Sequence, residues 1–166
     1  DTYQNKVDLI ITNPPFGAEF EFNELLENNG KFELLHSLWD RVQAKAINSE
    51  LVMLDRSLKL LKPGGRLLIV VPDGLVSSRG THEVYRELLS HEYSLKAVID
   101  LPAVTFAQAG TRTKCSILYI QKPIKSASNK VSNIFMAVAK NIGYEVRERL
   151  GSPVKIPHGE NQLQEI

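Results

Sequence analysis

Val7-Asp8-Leu9-Ile10-Ile11-Thr12, followed at once by Asn13-Pro14-Pro15-Phe16-Gly17, is the stretch that orders the rest of the chain. Its first six residues form a β-branched, nearly continuous apolar run. Such a run reads as a buried parallel strand, and the prolines stop it. Downstream the pattern repeats. Asn48 or Ser49 caps a helix whose apolar residues Leu51, Val52, Leu54, Leu58 and Leu61 follow helical spacing, and Pro63-Gly64-Gly65 ends it. Arg66–Val71 is a second strand ending at a proline, Pro72. Thr81 caps a further segment, His82–Leu89, with Val84, Tyr85, Leu88 and Leu89 on one face. Leu95–Leu101 and Ser116–Gln121 are the third and fourth strands. Strands alternating with helices specify an α/β sheet.

Elsewhere the pattern weakens. Residues 17–47 scatter apolar side chains among charges, which suggests a long excursion with short helices around 31–45. Between the third and fourth strands lies only the loop Pro102–Lys114, too short on periodicity for a crossover helix. The fourth strand is therefore expected to run antiparallel to its neighbour. Lys125–Lys130 reads as a polar turn and Asn133–Ala139 as an added edge strand. From Asn141 onward glycines, prolines and charges dominate, and a loop or tail is expected over 141–166.

Composition narrows the class. The chain has 166 residues, 43% hydrophobic and 23% charged, which is one globular domain's worth. Twenty basic against nineteen acidic side chains leave +1, so any nucleic-acid contact must come from a local patch. No apolar run approaches the ~20 residues of a membrane span and no secretory pattern opens the chain, so a cytoplasmic location and no membrane partner are expected. Cys115 is the one cysteine, which excludes an internal disulfide; it is expected to lie packed and inert in the fourth strand. His36, His82, His91 and His158 never fall at metal-ligand spacing, so no metal site is expected.

In open α/β sheets ligands bind beyond the carboxyl ends of the strands. Three segments fall there: Asn13–Gly17, Pro72-Asp73-Gly74 and Pro102–Thr113. The first is the most unusual. Two consecutive prolines fix φ and remove two backbone donors, leaving rigid carbonyls. Asn13 adds a side-chain carbonyl and Phe16 a flat apolar face. Two acceptors and a stacking plane suit a planar group bearing an NH2; the competing reading is a strand-ending turn over a core phenylalanine.

Asp8–Gly17 (DLIITNPPFG) resembles the catalytic motif of S-adenosylmethionine-dependent amino-group methyltransferases acting on DNA. Ser49-Glu50-Leu51, Leu61–Arg66 (LKPGGR), Val71–Gly74 (VPDG), Ile99–Pro102 (IDLP), the Phe106…Gly110-Thr111…Thr113 loop, Ile134-Phe135-Met136 and Asn141–Tyr144 (NIGY) are similar, in order, to the modification subunit of type I restriction systems. The likeness covers about residues 7–144. In that family a glycine-rich cofactor loop and an acidic residue precede the Asn-Pro-Pro-Phe motif. Only twelve residues precede Asn13, and Pro63-Gly64-Gly65 ends a helix, the wrong setting for such a loop.

The resemblance implies an α/β, Rossmann-like S-adenosylmethionine-dependent methyltransferase sheet, partial, with later strands only and an antiparallel strand near one edge. Residues 1–140 would form the later half of the catalytic domain, with 141–166 leading toward a further region. The implied reaction is methyl transfer from S-adenosylmethionine to the exocyclic amine of a flipped adenine in double-stranded DNA. Asn13 and Pro14 would accept the amine hydrogens, Pro15 would stiffen the turn, and Phe16 would stack on the base. Phe106 would close the other face or pack below its loop. Arg79, Arg112 and Lys114 would reach phosphates or stay solvated, and Asp73 would cap the segment after it. Specificity and restriction subunits are the implied partners. With the cofactor half absent, the chain by itself is expected to be inactive, to leave one edge of Val7–Thr12 unpaired, and to self-associate. Other readings stay open. Protein-glutamine and RNA methyltransferases use a related turn, but usually with Tyr or Leu fourth, and the Leu101–Thr111 stretch argues against them. Cytosine-amine enzymes more often carry Ser in place of Asn13. A non-catalytic fragment or degenerate subunit that binds DNA or a partner is the reading from a different class.

Overall fold

The computed structural model describes residues 2–27, 31–124 and 133–166. β1 (Val7–Thr12) leads through β2 (Glu19–Glu21), α1 (Phe22–Leu26), α2 (Leu35–Val42) and β3 (Ala46–Asn48) into α3 (Ser49–Leu60). Then come β4 (Leu61–Pro72), α4 (Asp73–Ser77), α5 (Thr81–Glu92), β5 (Ser94–Leu101), a 3-10 turn (Ala103–Ala109), β6 (Cys115–Gln121) and β7 (Phe135–Val138). β8 (Ile142–Arg149) and β9 (Ser152–Asn161) close the chain as a hairpin, followed by a last 3-10 turn (Gln162–Gln164).

Five strands make the main sheet in the order β1-β4-β6-β5-β7. β1 runs parallel to β4 and β7 parallel to β5, while β6 is antiparallel to both β4 and β5. The short loop before β6 explains its direction: without a crossover, the chain must return beside the strand it has just left. β6 lies in the middle of these five strands. Where β4 leaves α3 it passes close to β1. A Cβ on Gly65 would lie 2.9 Å from the Val7 carbonyl and 2.8 Å from that of Lys62, so only glycine fits.

One face of the sheet is dry. Leu67, Ile69 and Val71 of β4 and Leu118 and Ile120 of β6 pack on Leu51, Leu54 and Leu58 of α3 and on Tyr85, Leu88 and Leu89 of α5. Asn48 is the N-cap of α3, as the sequence allows; Gly80, at φ +71°, rather than Thr81, is the N-cap of α5. Asp55 of α3, fully buried, accepts from the Glu33 N–H (2.6 Å), the Leu34 N–H (2.8 Å) and the Tyr85 hydroxyl (2.9 Å), tying α3 to the start of α2 and to α5.

Two sequence expectations change here. β1 is parallel but not buried: it is an edge strand, with Ile11 73% and Leu9 42% exposed. Their face continues through Leu68 and Val70 to Tyr119 and Ile117, which stand opposite them in register. Parallel strands ordinarily have both faces covered, and no described helix covers this one. The second correction concerns 141–166, which is a β-hairpin rather than a loop or tail. Its two-residue turn has both residues left-handed, Leu150 at φ +52° and Gly151 at φ +76°, the conformation that matches strand twist. β7 takes the edge opposite β1, so no described strand pairs with the free side of β1. The polar turn expected at Lys125–Lys130 lies outside the described residues. Among the described residues no helix is long and apolar enough to cross a membrane.

An open strand edge next to an exposed apolar face templates association. The isolated 166-residue chain is expected to elute and scatter light as dimers or larger species. Substituting Lys for Ile11 is expected to shift it toward monomer, and a monodisperse wild-type monomer would contradict this.

Candidate active site

The carboxyl end of β1 delivers the turn. Asn13 and Pro15 are exposed, Pro14 is buried and Phe16 half-buried, and Gly17 takes φ +84°, which any side chain would strain. Two elements distant in sequence hold the segment that follows. β2 pairs antiparallel with β3, matching Phe20 to Ile47, and the Ser49 N–H donates to the Ala18 carbonyl at 2.8 Å. The Ser49 hydroxyl lies 3.3 Å from the Pro15 carbonyl. With no N–H on either proline, the turn depends on such outside donors.

Beside it, in sheet order, come the end of β4 and the start of β6. Cys115 stands opposite both Pro72 and Leu101, and the Asp73 N–H donates to the Lys114 carbonyl at 2.9 Å. All three segments nominated from sequence therefore sit at one end of the sheet. Asp73 opens α4, and its carboxylate accepts from the Ser77 hydroxyl at 3.0 Å, a contact within the helix rather than a cap.

The remaining nominated residues are spread along this end. Phe106 is half-buried in the 3-10 turn after β5, three strands over from β1, or roughly 14 Å at ~4.8 Å per strand. Its turn leans on the hairpin, where the Tyr144 hydroxyl donates to the Thr105 carbonyl at 2.9 Å. Arg112 is exposed and lines a cleft of about 420 Å³ with Ala107, Gly110, Val146, Glu148 and Pro153. Arg79 is exposed between α4 and α5. Lys114 is exposed too, but its ammonium already pairs with Asp100 at 2.9 Å, and that hydrogen bond raises its pKa. Cys115 is buried at the start of β6, which pushes its thiol pKa up, with the Asp73 charge adding to the effect.

Sequence reading missed the support beneath the turn. Ser49 looked like a helix cap; it is 3% exposed and faces the turn instead. Glu50 is buried beside it, and the Nε2 atom of His82, at the start of α5, is buried without a hydrogen-bond partner. Burial holds the His82 imidazole below its ordinary pKa; the Glu50 charge opposes this and Arg86 adds to it. No local pattern signals these contacts, because they join residues more than thirty positions apart.

Among the described residues no group of three His, Cys, Asp or Glu is placed to hold a metal. Pro63-Gly64-Gly65 is no cradle for a nucleoside cofactor. It sits where β4 begins, at the end of the sheet opposite the Asn13 turn, and backbone rather than open space lies against Gly65.

Comparison with known proteins agrees with this architecture. The chain is 28% identical over 121 residues to the methylase subunit of the type I restriction enzyme EcoEI of Escherichia coli, covering 73% of this chain and 22% of that relative. The type I restriction-modification methyltransferase subunit of Streptococcus thermophilus superposes with a TM-score of 0.64, at 19% identity over 90% of this chain and 29% of its own. A Listeria monocytogenes protein described as a class I S-adenosylmethionine-dependent methyltransferase superposes at 0.59, with 20% identity over 80% of this chain and 36% of its own. These two place the sheet in the Rossmann-like methyltransferase fold, represented here by part of it. The chain spans about a fifth of the length of the curated relatives it matches. The family model of N-6 DNA Methylase matches residues 1–151, and the chain belongs to that family.

Proposed function

We propose that this chain carries the amine-holding part of an adenine-N6 DNA methyltransferase of a restriction-modification system. The observation that carries the reading is the Asn13–Phe16 turn, anchored from α3 at the carboxyl end of β1 with Asn13 exposed. The Asn13 side-chain oxygen and the Pro14 carbonyl accept the two hydrogens of the exocyclic amine, drawing its nitrogen toward sp3 and directing the lone pair outward. Alignment and preorganised acceptors are the chemical contribution, and no general base is needed. The base is flipped out of the duplex, since its amine is otherwise inaccessible, and Phe16 stacks on the ring. Phe106, about 14 Å across the sheet end, reaches the other face only if its turn moves inward, while Arg79 and Arg112 meet phosphates. Lys114 does so only by giving up Asp100.

S-adenosylmethionine is the methyl donor that the family implies, and Pro63-Gly64-Gly65 is not where it is held. Double-stranded DNA is the substrate, and specificity and restriction subunits are the partners.

The test is direct. Full-length protein incubated with methyl-labelled S-adenosylmethionine and unmethylated DNA should yield N6-methyladenine on nucleoside analysis. Label in cytosine, RNA or protein would reject the reading. In the same protein, Phe16→Ala should weaken binding to DNA with an abasic site opposite the target base by about 1–3 kcal/mol. Ordinary duplex should lose less in a filter-binding assay. An equal loss on both would give Phe16 a folding role.

A further inference from the structure

Ser49, the first residue of α3, turns both of its donors toward the segment after β1, the hydroxyl in part. Its N–H donates to the Ala18 carbonyl at 2.8 Å, and its hydroxyl lies 3.3 Å from the Pro15 carbonyl. The residue is 3% exposed, so water does not compete for either group. This matters because of what the prolines leave undetermined. Their rings lock φ, so ψ is the soft torsion at each. At Pro15, ψ sets where the carbonyl points and, through the next peptide plane, where Phe16 begins. No N–H within the proline pair can fix it.

Resting on the reading of this turn as the amine-holding element, we infer that Ser49 is a positioning residue for methyl transfer, tethering the Pro15 carbonyl to α3. That contact settles ψ at Pro15, aims Phe16, and leaves the Pro14 carbonyl and the Asn13 side chain free for the substrate. A second acceptor complicates the picture: the same hydroxyl lies 3.3 Å from the Glu50 carboxylate. One hydroxyl has one proton, so it divides its time between Pro15 and Glu50. A loss on removing Ser49 therefore has two origins, a released turn or a buried carboxylate left without its neighbour, and the experiment must separate them.

The measurement is single-turnover transfer of a tritiated methyl group from S-adenosylmethionine to unmethylated phage DNA by the full-length protein. Ser49→Ala should slow the methyl-transfer step about five- to tenfold, the worth of one neutral hydrogen bond. Cofactor affinity should be unchanged, and the urea midpoint should fall by no more than one lost hydrogen bond accounts for. Ser49→Thr, which keeps the hydroxyl, should restore the rate. Adding Glu50→Gln to Ser49→Ala should not restore it, because the carboxylate is not the source of the defect. Three results would overturn the proposal: a wild-type rate in Ser49→Ala, recovery in the double variant, or a loss that merely follows a lowered urea midpoint. Asn13→Ala is the control. If it loses transfer while Ser49→Ala does not, only the role of Ser49 falls. If Asn13→Ala also transfers normally, the reading of the turn falls, and this proposal with it.

Discussion

Asn13→Ala in the full-length protein is expected to lower methyl transfer at least about a hundredfold while leaving S-adenosylmethionine affinity unchanged. The size follows from what is removed. A preorganised group aimed at charge that develops in the transition state is worth roughly 10²–10³ in rate. Asn13 is exposed at the end of β1, so truncating it leaves no buried group unsatisfied and should cost little stability. Single-turnover kinetics and calorimetry of cofactor binding, run on the same preparation, separate the two effects. Comparable turnover in the variant would remove Asn13 from the chemistry.

The largest stability effect belongs to Asp55. Three donors converge on its carboxylate in the interior: the Glu33 and Leu34 N–H groups and the Tyr85 hydroxyl. Asp55→Ala strands all three, at about 1–3 kcal/mol each and not fully additive, so a loss of about 3–5 kcal/mol is expected. Against a total of about 5–15 kcal/mol for a domain, that is a large fraction, readable from urea denaturation. Burial pushes the Asp55 carboxyl from its ordinary 3.8 up to about 6, against the pull of the three donors. The sign follows. The folded state holds this proton more tightly than the unfolded chain, so the contribution is full below about pH 4 and declines as pH rises through about 6. Glu33 acts the other way. Burial raises its pKa, but hydrogen bonds from Lys122 and Tyr93 and the charges of Lys122 and Lys59 outweigh this and hold it low, so its contribution fades in acid. In Asp55→Asn the decline between pH 4 and 6 should vanish while the acid-side loss due to Glu33 persists. An unchanged profile would contradict the assignment.

What the sequence reveals and hides follows from the range of the interactions. The alternating strands and helices from β4 to β6, and the direction of β6, are legible because apolar periodicity and loop length are local. So is the Asn13 turn, since two prolines and an asparagine constrain the backbone wherever they occur. β2 and β3 are three residues each, paired across 28 intervening positions between Glu19 and Asn48, and leave no periodic trace. The β8–β9 hairpin is hidden for another reason. Exposed on most of its surface, it shows little apolar alternation, and Leu150-Gly151 occupies a turn where Asn-Gly would have announced a hairpin. The anchor at Asp55 and the tether at Ser49 join segments that meet only after the sheet forms.

If the Asn13 turn holds an amine, as proposed, the edge of β1 that the described strands leave open bears on it. Asn13 follows directly on a strand whose outer side no other described strand pairs, so a strand that docked there would also bear on the twist on which Asn13 and Pro14 ride. Occupation of the edge and occupation of the turn would then share one free energy. Reciprocity would then run both ways: a neighbour that sharpened the turn's grip on a ligand would itself be gripped harder whenever that ligand was held.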